Sequence, residues 1–482
     1  MEIEHARANS LLTPSVSELP GARGGWQQGS SVLGTERPVS QWTSALWTGV
    51  TIDSTMFNRR TFLSASAALA GTKLVSAQAP TDSPIGALKS RRAEAQPITT
   101  EERLARVERA QRLMQENKLN AIAIAGGTSL LYFSGVNWGN SERLFVMVLP
   151  VRGEPFFVAP AFEKDRSLEQ IALGPFAKSP HVFTWEENEN PYQVVAFALK
   201  ERGLATGRIG IEERVQYVFA DGIARAIPTA TISSATQVTS GCRMLKSPAE
   251  IALMRLANSV TLQAYEAAWK SIREGMTQHE FGALVSSAHQ KLGFQGGASV
   301  QVGENSALPH GSVKPQLIRE GTILLIDGGC SVEHYESDIS RTFVLGKPTD
   351  KMKRVFDIVH QAQSAALAAA RPGILCDAVD AAARKVIVDA GYGPGFKYFT
   401  HRVGHGIGMD GHEWPYLIAT NTLQAGGKSI ALAAQMTFSD EPGIYIPGEF
   451  GVRLEDDMHI LDAGSELFTP QSPSLEDPFG KS

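Results

Sequence analysis

Ile323-Leu324-Leu325-Ile326-Asp327-Gly328-Gly329-Cys330 and, shortly after it, Ser337-Asp338-Ile339-Ser340-Arg341-Thr342-Phe343-Val344 read as two strands with a short connection. Asp327 closes a fully apolar run, and Asp338 opens the second run 338 − 327 = 11 residues later. Taken alone, Asp327-Gly328 is a hairpin-turn signal. Two strands joined this way bring both carboxylates near one another, however, and like charges that close need a cation or a shared proton.

Three further residues of ligand type follow: His405 in Gly404-His405-Gly406, Glu441 in Glu441-Pro442-Gly443, and Glu455 in Arg453-Leu454-Glu455-Asp456-Asp457. Singly, the glutamates read as a surface turn and a solvated acidic loop. Their neighbours argue otherwise. Met436-Thr437-Phe438 leads into Glu441 and Gly451-Val452-Arg453-Leu454 into Glu455, which puts both acids on or beside strands, where an unpaired carboxylate is costly. Four carboxylates and one imidazole have lone pairs enough for two divalent cations, the signature of a two-metal hydrolase. The oxygen-rich set favours manganese, with cobalt or zinc behind it, and no cysteine joins it.

His401 and His405 stand at the i, i+4 spacing of a zinc-protease helix, but Gly404, Gly406 and Gly408 alternate through the segment and Arg402, not an acid, follows His401. Gly406 to Gly411 also spells GxGxxG; His412-Glu413-Trp414-Pro415 follows instead of a helix, so nucleotide binding is rejected. What remains is a glycine-lined strand or loop carrying His401, His405 and His412. With His310 in Leu308-Pro309-His310-Gly311, these histidines favour a site over structural roles.

The segment from about Ser247 to Leu467 resembles the pita-bread metallopeptidases, the group of aminopeptidase P, prolidase, methionine aminopeptidase and the non-metal creatinase. Asp327-Gly328-Gly329-Cys330, Ser337-Asp338-Ile339-Ser340-Arg341-Thr342, His401-Arg402-Val403-Gly404-His405-Gly406-Ile407-Gly408, Asp440-Glu441-Pro442-Gly443 and Arg453-Leu454-Glu455-Asp456 carry the resemblance. It covers nearly half of the chain, and all five ligand positions are occupied. The resemblance implies that Asp327 chelates one metal, that Asp338 and Glu455 bridge two, and that His405 and Glu441 complete the second. It further implies a bridging hydroxide as nucleophile and Glu441 as proton shuttle. His310 and His412 match positions that contact the scissile peptide and steady the oxyanion. His401 and Arg453 match positions that support the ligands or bind substrate. A homo-oligomer is also implied.

Upstream, helices and strands alternate. Thr99-Thr100-Glu101-Glu102 is a capping box with Leu104, Val107, Ala110, Leu113 and Met114 at helical spacing behind it. Strands are expected at Ala121 to Ala125, Leu144 to Leu149, Pro155 to Ala159, Val182 to Trp185 and Arg208 to Glu212, with helices at about Phe162 to Leu173 and Tyr192 to Glu201. A second capping box, Ser247-Pro248-Ala249-Glu250, ends this compact α/β domain. Arg243 to Ile251 resembles the join of the amino-terminal and catalytic domains in aminopeptidase P, prolidase and creatinase. The expected architecture is an α/β N-terminal domain at 98–246, a pita-bread α+β catalytic domain at 247–470, and a tail at 471–482.

At 482 residues and 43% hydrophobic content, the chain has material for more than one core. A net charge of −5 gives no reason to expect nucleic acid or an anionic membrane. Cys242, Cys330 and Cys376 are odd in number and scattered, so buried thiols are expected. Asn58-Arg59-Arg60-Thr61-Phe62-Leu63 and the alanine-rich run behind it resemble a twin-arginine signal over 56–79, too weakly apolar for a membrane span. Export, to a periplasm, is expected. Residues 1–55 are then a disordered extension or not made, with Met56 as the start.

The expected activity is that of an Xaa-Pro aminopeptidase using two divalent metal ions on peptides with proline second. An Xaa-Pro dipeptidase is the alternative. A silent pita-bread binding module and a creatinase-like hydrolase without metal are disfavoured by the intact ligand set.

Overall fold

The computed structural model describes residues 83–419 and 427–480. The twin-arginine segment and the extension before it lie outside the described residues. Among the described residues, no helix is long and apolar enough to cross a membrane.

The first layer system grows from a strand that is apolar on both sides. β1 (Ala121–Ala125) is buried along its whole length, as are β2 (Val146–Pro150) and β3 (Phe156–Pro160); β4 (Val182–Trp185), β5 (Gly207–Ile211) and β6 (Ala230–Ser234) complete a sheet of order β4-β3-β2-β1-β5-β6. Uninterrupted apolar strands need cover on both faces. Ile122, Ile124, Met147 and Phe157 pack under α1 (Thr100–Glu116), with α2 (Thr128–Ser134) on the same face. Then come α3 (Lys164–Ile171), α4 (Pro191–Glu201) and α5 (Tyr217–Ala226); Val195, Leu199, Phe219 and Ile223 cover Ala121, Ala123, Val146 and Val148 on the other face. α6 (Thr236–Arg243) ends this unit against the first face. The capping box at Thr99 is formed on both sides, its hydroxyl accepting from the Glu102 N–H.

α7 (Pro248–Trp269) starts at the second capping box, with Ser247 as cap and Pro248 at the first position. α8 (Gln278–Leu292) follows, then β7 (Gln295–Gly296), β8 (Ser299–Val302), β9 (Ile323–Gly328), β10 (Cys330–Val332), β11 (Tyr335–Glu336) and β12 (Ile339–Val344). The sheet β12-β9-β8 buries Val300, Leu324, Ile326 and Phe343 against Tyr265, Phe281 and Val285 of α7 and α8. A second helix pair, α9 (Asp350–Ala369) and α10 (Cys376–Asp389), covers the strands that come after it. These are β13 (His405–Gly406), β14 (Glu413–Tyr416), β15 (Thr437–Asp440), β16 (Gly443–Ile446), β17 (Phe450–Arg453), β18 (Asp456–Ile460) and β19 (Ser465–Leu467). The sheet β14-β13-β15-β18-β19 and the hairpin β16-β17 thus lie between helices and the β9/β12 pair. This is the α+β pita-bread arrangement behind an α/β domain.

The described part of the segment read as a tail, 471–480, packs against the catalytic domain. Leu475 is buried, its carbonyl accepts from the Val344 N–H at 2.9 Å, and Phe479 meets the Trp269 ring.

Candidate metal centre

The antiparallel β9/β12 register sets Asp327 opposite Ser340 and Gly328 opposite Ile339, which leaves Asp338 just beyond the last pair. Beyond the last pair the two segments stay so close that a Cβ on Gly329 would stand 1.7 Å from the Ser337 carbonyl oxygen, so only glycine fits. Glu441 directly follows β15, and its N–H donates to the Val403 carbonyl at 2.8 Å; Glu455 sits between β17 and β18, its N–H on the Ser340 carbonyl at 3.2 Å. His405 enters from β13, its N–H donating to Ser439 Oγ at 3.1 Å. Five residues from separate strand ends therefore converge. Asp327, Asp338 and Glu455 bring ligand atoms within 4.8 Å of one another, and so do His405, Glu441 and Glu455. The two groups share Glu455. Asp338, His405 and His412 form a third such group, so His412 stands nearer the centre than an outlying donor would.

All four expected histidines and Arg453 line one cavity of about 510 Å³ with these acids. His401 lies in a loop and His412 in the turn before β14; neither is helical. The His412 ring stacks on His405 at 3.6 Å between centroids. His310 stands beside Pro309, whose carbonyl accepts from Arg453 Nη1 at 3.0 Å.

Local hydrogen bonds set the protonation pattern. His405 Nδ1 lies 3.1 Å from its neighbour's carbonyl, at Gly406, and a carbonyl can only accept, so the proton sits on Nδ1. That leaves the Nε2 lone pair facing Glu441 Oε1 at 3.5 Å and Asp338 Oδ2 at 3.9 Å. Burial, then His412, holds the His405 imidazole well below its usual range and hence neutral. His401 repeats the pattern: Nδ1 donates to the Arg402 carbonyl at 2.8 Å, and Nε2 accepts from Tyr445 Oη at 2.7 Å. Burial pushes its pKa down to about 3.

The carboxylates are short of positive charge. The single Ser340 hydroxyl proton has Asp327 Oδ1 and Glu455 Oε2 both at 2.7 Å and can serve only one. Arg453 donates to Asp327 Oδ2 at 2.7 Å and to Ser340 Oγ at 2.9 Å, and lies 4.0 Å from Glu455. One guanidinium cannot neutralise four acids. Burial and mutual repulsion push Asp338 and Glu455 well above the carboxylate range, and burial pushes Glu441 up to about 7. Protein groups alone would therefore favour the protonated forms of Asp338 and Glu455. Divalent cations reverse that, and the donor set of carboxylate oxygens with one free imidazole lone pair fits them.

Sequence reading missed the residues that orient this set. Tyr445 bridges His401 and Arg453, accepting from Arg453 Nη1 at 3.0 Å, and Ser340 links Asp327 to Glu455. Tyr445 sits in an apolar strand and reads as core. Arg402, Phe396 and Ile418 also line the cavity.

The model of metallopeptidase family M24 matches residues 252–462, and that of the creatinase/prolidase N-terminal domain matches residues 106–245. An Xaa-Pro dipeptidase of Lactobacillus delbrueckii subsp. lactis is 31% identical over 77% of this chain and 98% of its own length. Among solved structures, a dipeptidase from Mycobacterium ulcerans aligns with a TM-score of 0.72 at 30% identity, covering 79% of this chain and 99% of that one. A prolidase from Thermococcus sibiricus aligns at 0.68 and 29%, over 78% and 98%. The chain belongs to metallopeptidase family M24, its catalytic unit preceded by a creatinase/prolidase-type domain.

Proposed function

We propose that this protein is an Xaa-Pro dipeptidase whose metal ligands are Asp327, Asp338, His405, Glu441 and Glu455, holding two divalent ions, manganese first. The aminopeptidase reading expected from sequence becomes the second one. Relatives that this chain covers over 98–99% of their own length are named Xaa-Pro dipeptidase, and one feature of the cavity supports the same choice. Arg453 is committed to Asp327, Ser340, Pro309 and Tyr445. Arg402, the other guanidinium lining the cavity, rests on the Tyr416 ring at 4.1 Å with His412 Nδ1 at 3.5 Å; among the described residues no carboxylate lies within ion-pair distance of it. A dipeptide presents a carboxylate on its proline, and Arg402 suits it; a longer peptide presents an amide there. The X-Pro aminopeptidase from Thermotoga maritima, at 27% identity and a TM-score of 0.64, keeps the second reading in view.

Bound divalent ions supply the positive charge that makes a water molecule acidic enough to attack near neutral pH. The chain's own groups do the rest. Glu441, with its carboxylate on the cavity wall, takes the proton of the attacking water on Oε and delivers it to the proline nitrogen, which must leave as an amine. His412 and His310 donate N–H bonds to the oxygen that gains charge. Tyr445 and His401 keep Arg453 fixed on Asp327. A proline amide has no N–H to offer a backbone-reading protease, and this site asks for none.

The test compares Ala-Pro with Ala-Pro-Ala, in wild type and in Arg402→Met. Loss of a charged hydrogen bond costs about 1.5–3 kcal/mol, a rise in KM of roughly ten- to a hundredfold for the dipeptide alone. Faster cleavage of the tripeptide, with no effect of the substitution on the dipeptide, establishes the aminopeptidase reading instead.

A further inference from the structure

His412 is poorly held by its own domain. It sits in a turn between β13 and β14 that contains Gly408 and Gly411, is exposed, and beyond the stack on His405 its one side-chain hydrogen bond among the described residues is the long one from Arg402. A glycine-rich turn of this kind has many conformations to lose. The two residues that bracket His412 are nevertheless anchored, and the anchors come from the other domain.

Asp410, two residues before His412, accepts from Thr128 Oγ1 at 2.7 Å, pairs with Arg214 Nη1 at 3.3 Å and is hydrogen-bonded by Arg243. Glu413, the next residue after His412, takes Arg243 on one oxygen and Lys246 Nζ at 2.6 Å on the other. Arg214 Nη2 also donates to the His412 carbonyl itself at 3.4 Å. Arg243, Lys246 and Glu413 are buried, so these pairs are little screened by solvent. The approach is close: a Cβ on Gly408 would lie 2.4 Å from Glu413 Oε1 and 2.9 Å from Lys246 Cε. Thr128 opens α2, Arg243 closes α6, and Arg214 lies between β5 and α5, so three separate parts of the N-terminal domain meet one catalytic turn.

We infer that the N-terminal domain is a working part of the active site: through Thr128, Arg214 and Arg243 on Asp410 and Glu413 it fixes the turn that aims His412 over the metal centre. These are positioning residues, acting through His412. The inference rests on the reading of His412 as the donor to the oxyanion. It assigns a task to the first domain beyond supporting the fold. It also explains why a catalytic histidine on a glycine-rich turn can stack in register on His405.

The test uses the full chain and the two anchors whose loss spares the buried pairs. Thr128→Val removes one donor at near-constant shape, and Arg214, 54% exposed, is replaced by Met. The double variant is expected to keep its metal content and Tm, to lose about tenfold or more in kcat on Ala-Pro from misaimed chemistry, and to hold KM within about twofold. Arg214→Lys, with Thr128 intact, retains most of the wild-type kcat. A second readout needs no turnover: in metal-stripped protein, amide hydrogen exchange in the peptide spanning residues 407–416 speeds up in the double variant while exchange in β9 and β12 does not change. Unchanged exchange, or a kcat loss that tracks metal loss, overturns the inference. His412→Ala separates the positioning role from the donor role of His412. If it is slow while the double variant is not, the positioning role fails alone; if it turns over normally, the reading of His412 fails and the positioning role with it.

Discussion

Replacing Arg341 by Met should unsettle the catalytic domain strongly while leaving every proposed ligand in place. Arg341 is fully buried on β12, next to the Ser340 that links two ligands, and its guanidinium holds four groups. Nη2 donates to Asp456 Oδ1 at 2.6 Å and to the Pro470 carbonyl at 3.0 Å; Nη1 donates to the carbonyls of Glu455 at 2.9 Å and Ser340 at 3.0 Å. Removing it leaves the Asp456 carboxylate in a fully buried site with, among the described residues, the side chains of Thr469 (Oγ1 at 2.6 Å) and Gln363 (Nε2 at 3.0 Å) as its donors, and deprives the Glu455 and Pro470 carbonyls of a donor. Breaking a buried ion pair from one side costs about 3–5 kcal/mol. The orphaned carbonyls overlap with that figure rather than adding to it, so Arg341→Met should lose about 4 kcal/mol. That is a large share of the roughly 5–15 kcal/mol that holds a domain folded. Asp456→Asn in the same chain removes the stranded charge and should restore about half of the loss. Urea unfolding of metal-free protein, followed by far-UV circular dichroism, reads both values from the midpoint at constant m. An Arg341→Met protein within 1 kcal/mol of wild type, or a double variant no more stable than the single one, refutes the reasoning.

Burial pushes the His289 imidazole down to about 4 while its Nδ1 donates to the Val285 carbonyl at 3.0 Å. Its folded pKa is below the unfolded value of 6.5, so the stability it contributes is full above pH 6.5 and is lost as pH falls toward 4. That depression corresponds to about 3 kcal/mol at most; His289→Gln should flatten the pH dependence of unfolding in that window, and parallel profiles in the two proteins would rule the histidine out as its source. Asp338→Ala and Glu455→Ala should lose metal together with turnover, whereas His412→Ala keeps metal and loses about a hundredfold in kcat; equal metal loss in all three would contradict the role given to His412. If Arg59-Arg60 is a twin-arginine signal, replacing both by Lys leaves the precursor inside the cell, and N-terminal sequencing of the exported wild type begins near Gln78 or Pro80. A mature chain that retains residues 1–77 counts against the signal and against a start at Met56.

The candidate site was legible as a cluster because its acids stand at the ends of strands that are themselves legible. Asp327 and Asp338 flank apolar runs, and a paired register of such runs leaves few places for their carboxylates. Ala121–Ala125 and Val182–Trp185 were readable to the residue because short β-branched or apolar runs lie between turn signals. Other elements give weaker signals. α2 has only 7 residues and starts after a glycine, β6 is a half-exposed edge strand rich in serine, and α6 carries threonine, serine and glycine that favour other conformations. Tyr445 and Ser340 could not be distinguished from core residues, since what makes them functional is a partner on another strand. The same holds for Asp410 and Glu413, whose ties to Arg243 span 167 and 170 residues of chain. Periodicity reports which face a residue turns to the core; it carries no information about which distant residue meets it there.

The proposed activity depends above all on the metal centre. Inductively coupled plasma mass spectrometry on the purified chain, reconstituted with manganese and freed of loose ions by gel filtration, measures it directly. Two ions per chain, falling to one or none in Glu455→Ala, is the expected result. A wild-type chain that retains no metal yet cleaves Xaa-Pro dipeptides at full rate in the presence of chelator would contradict it.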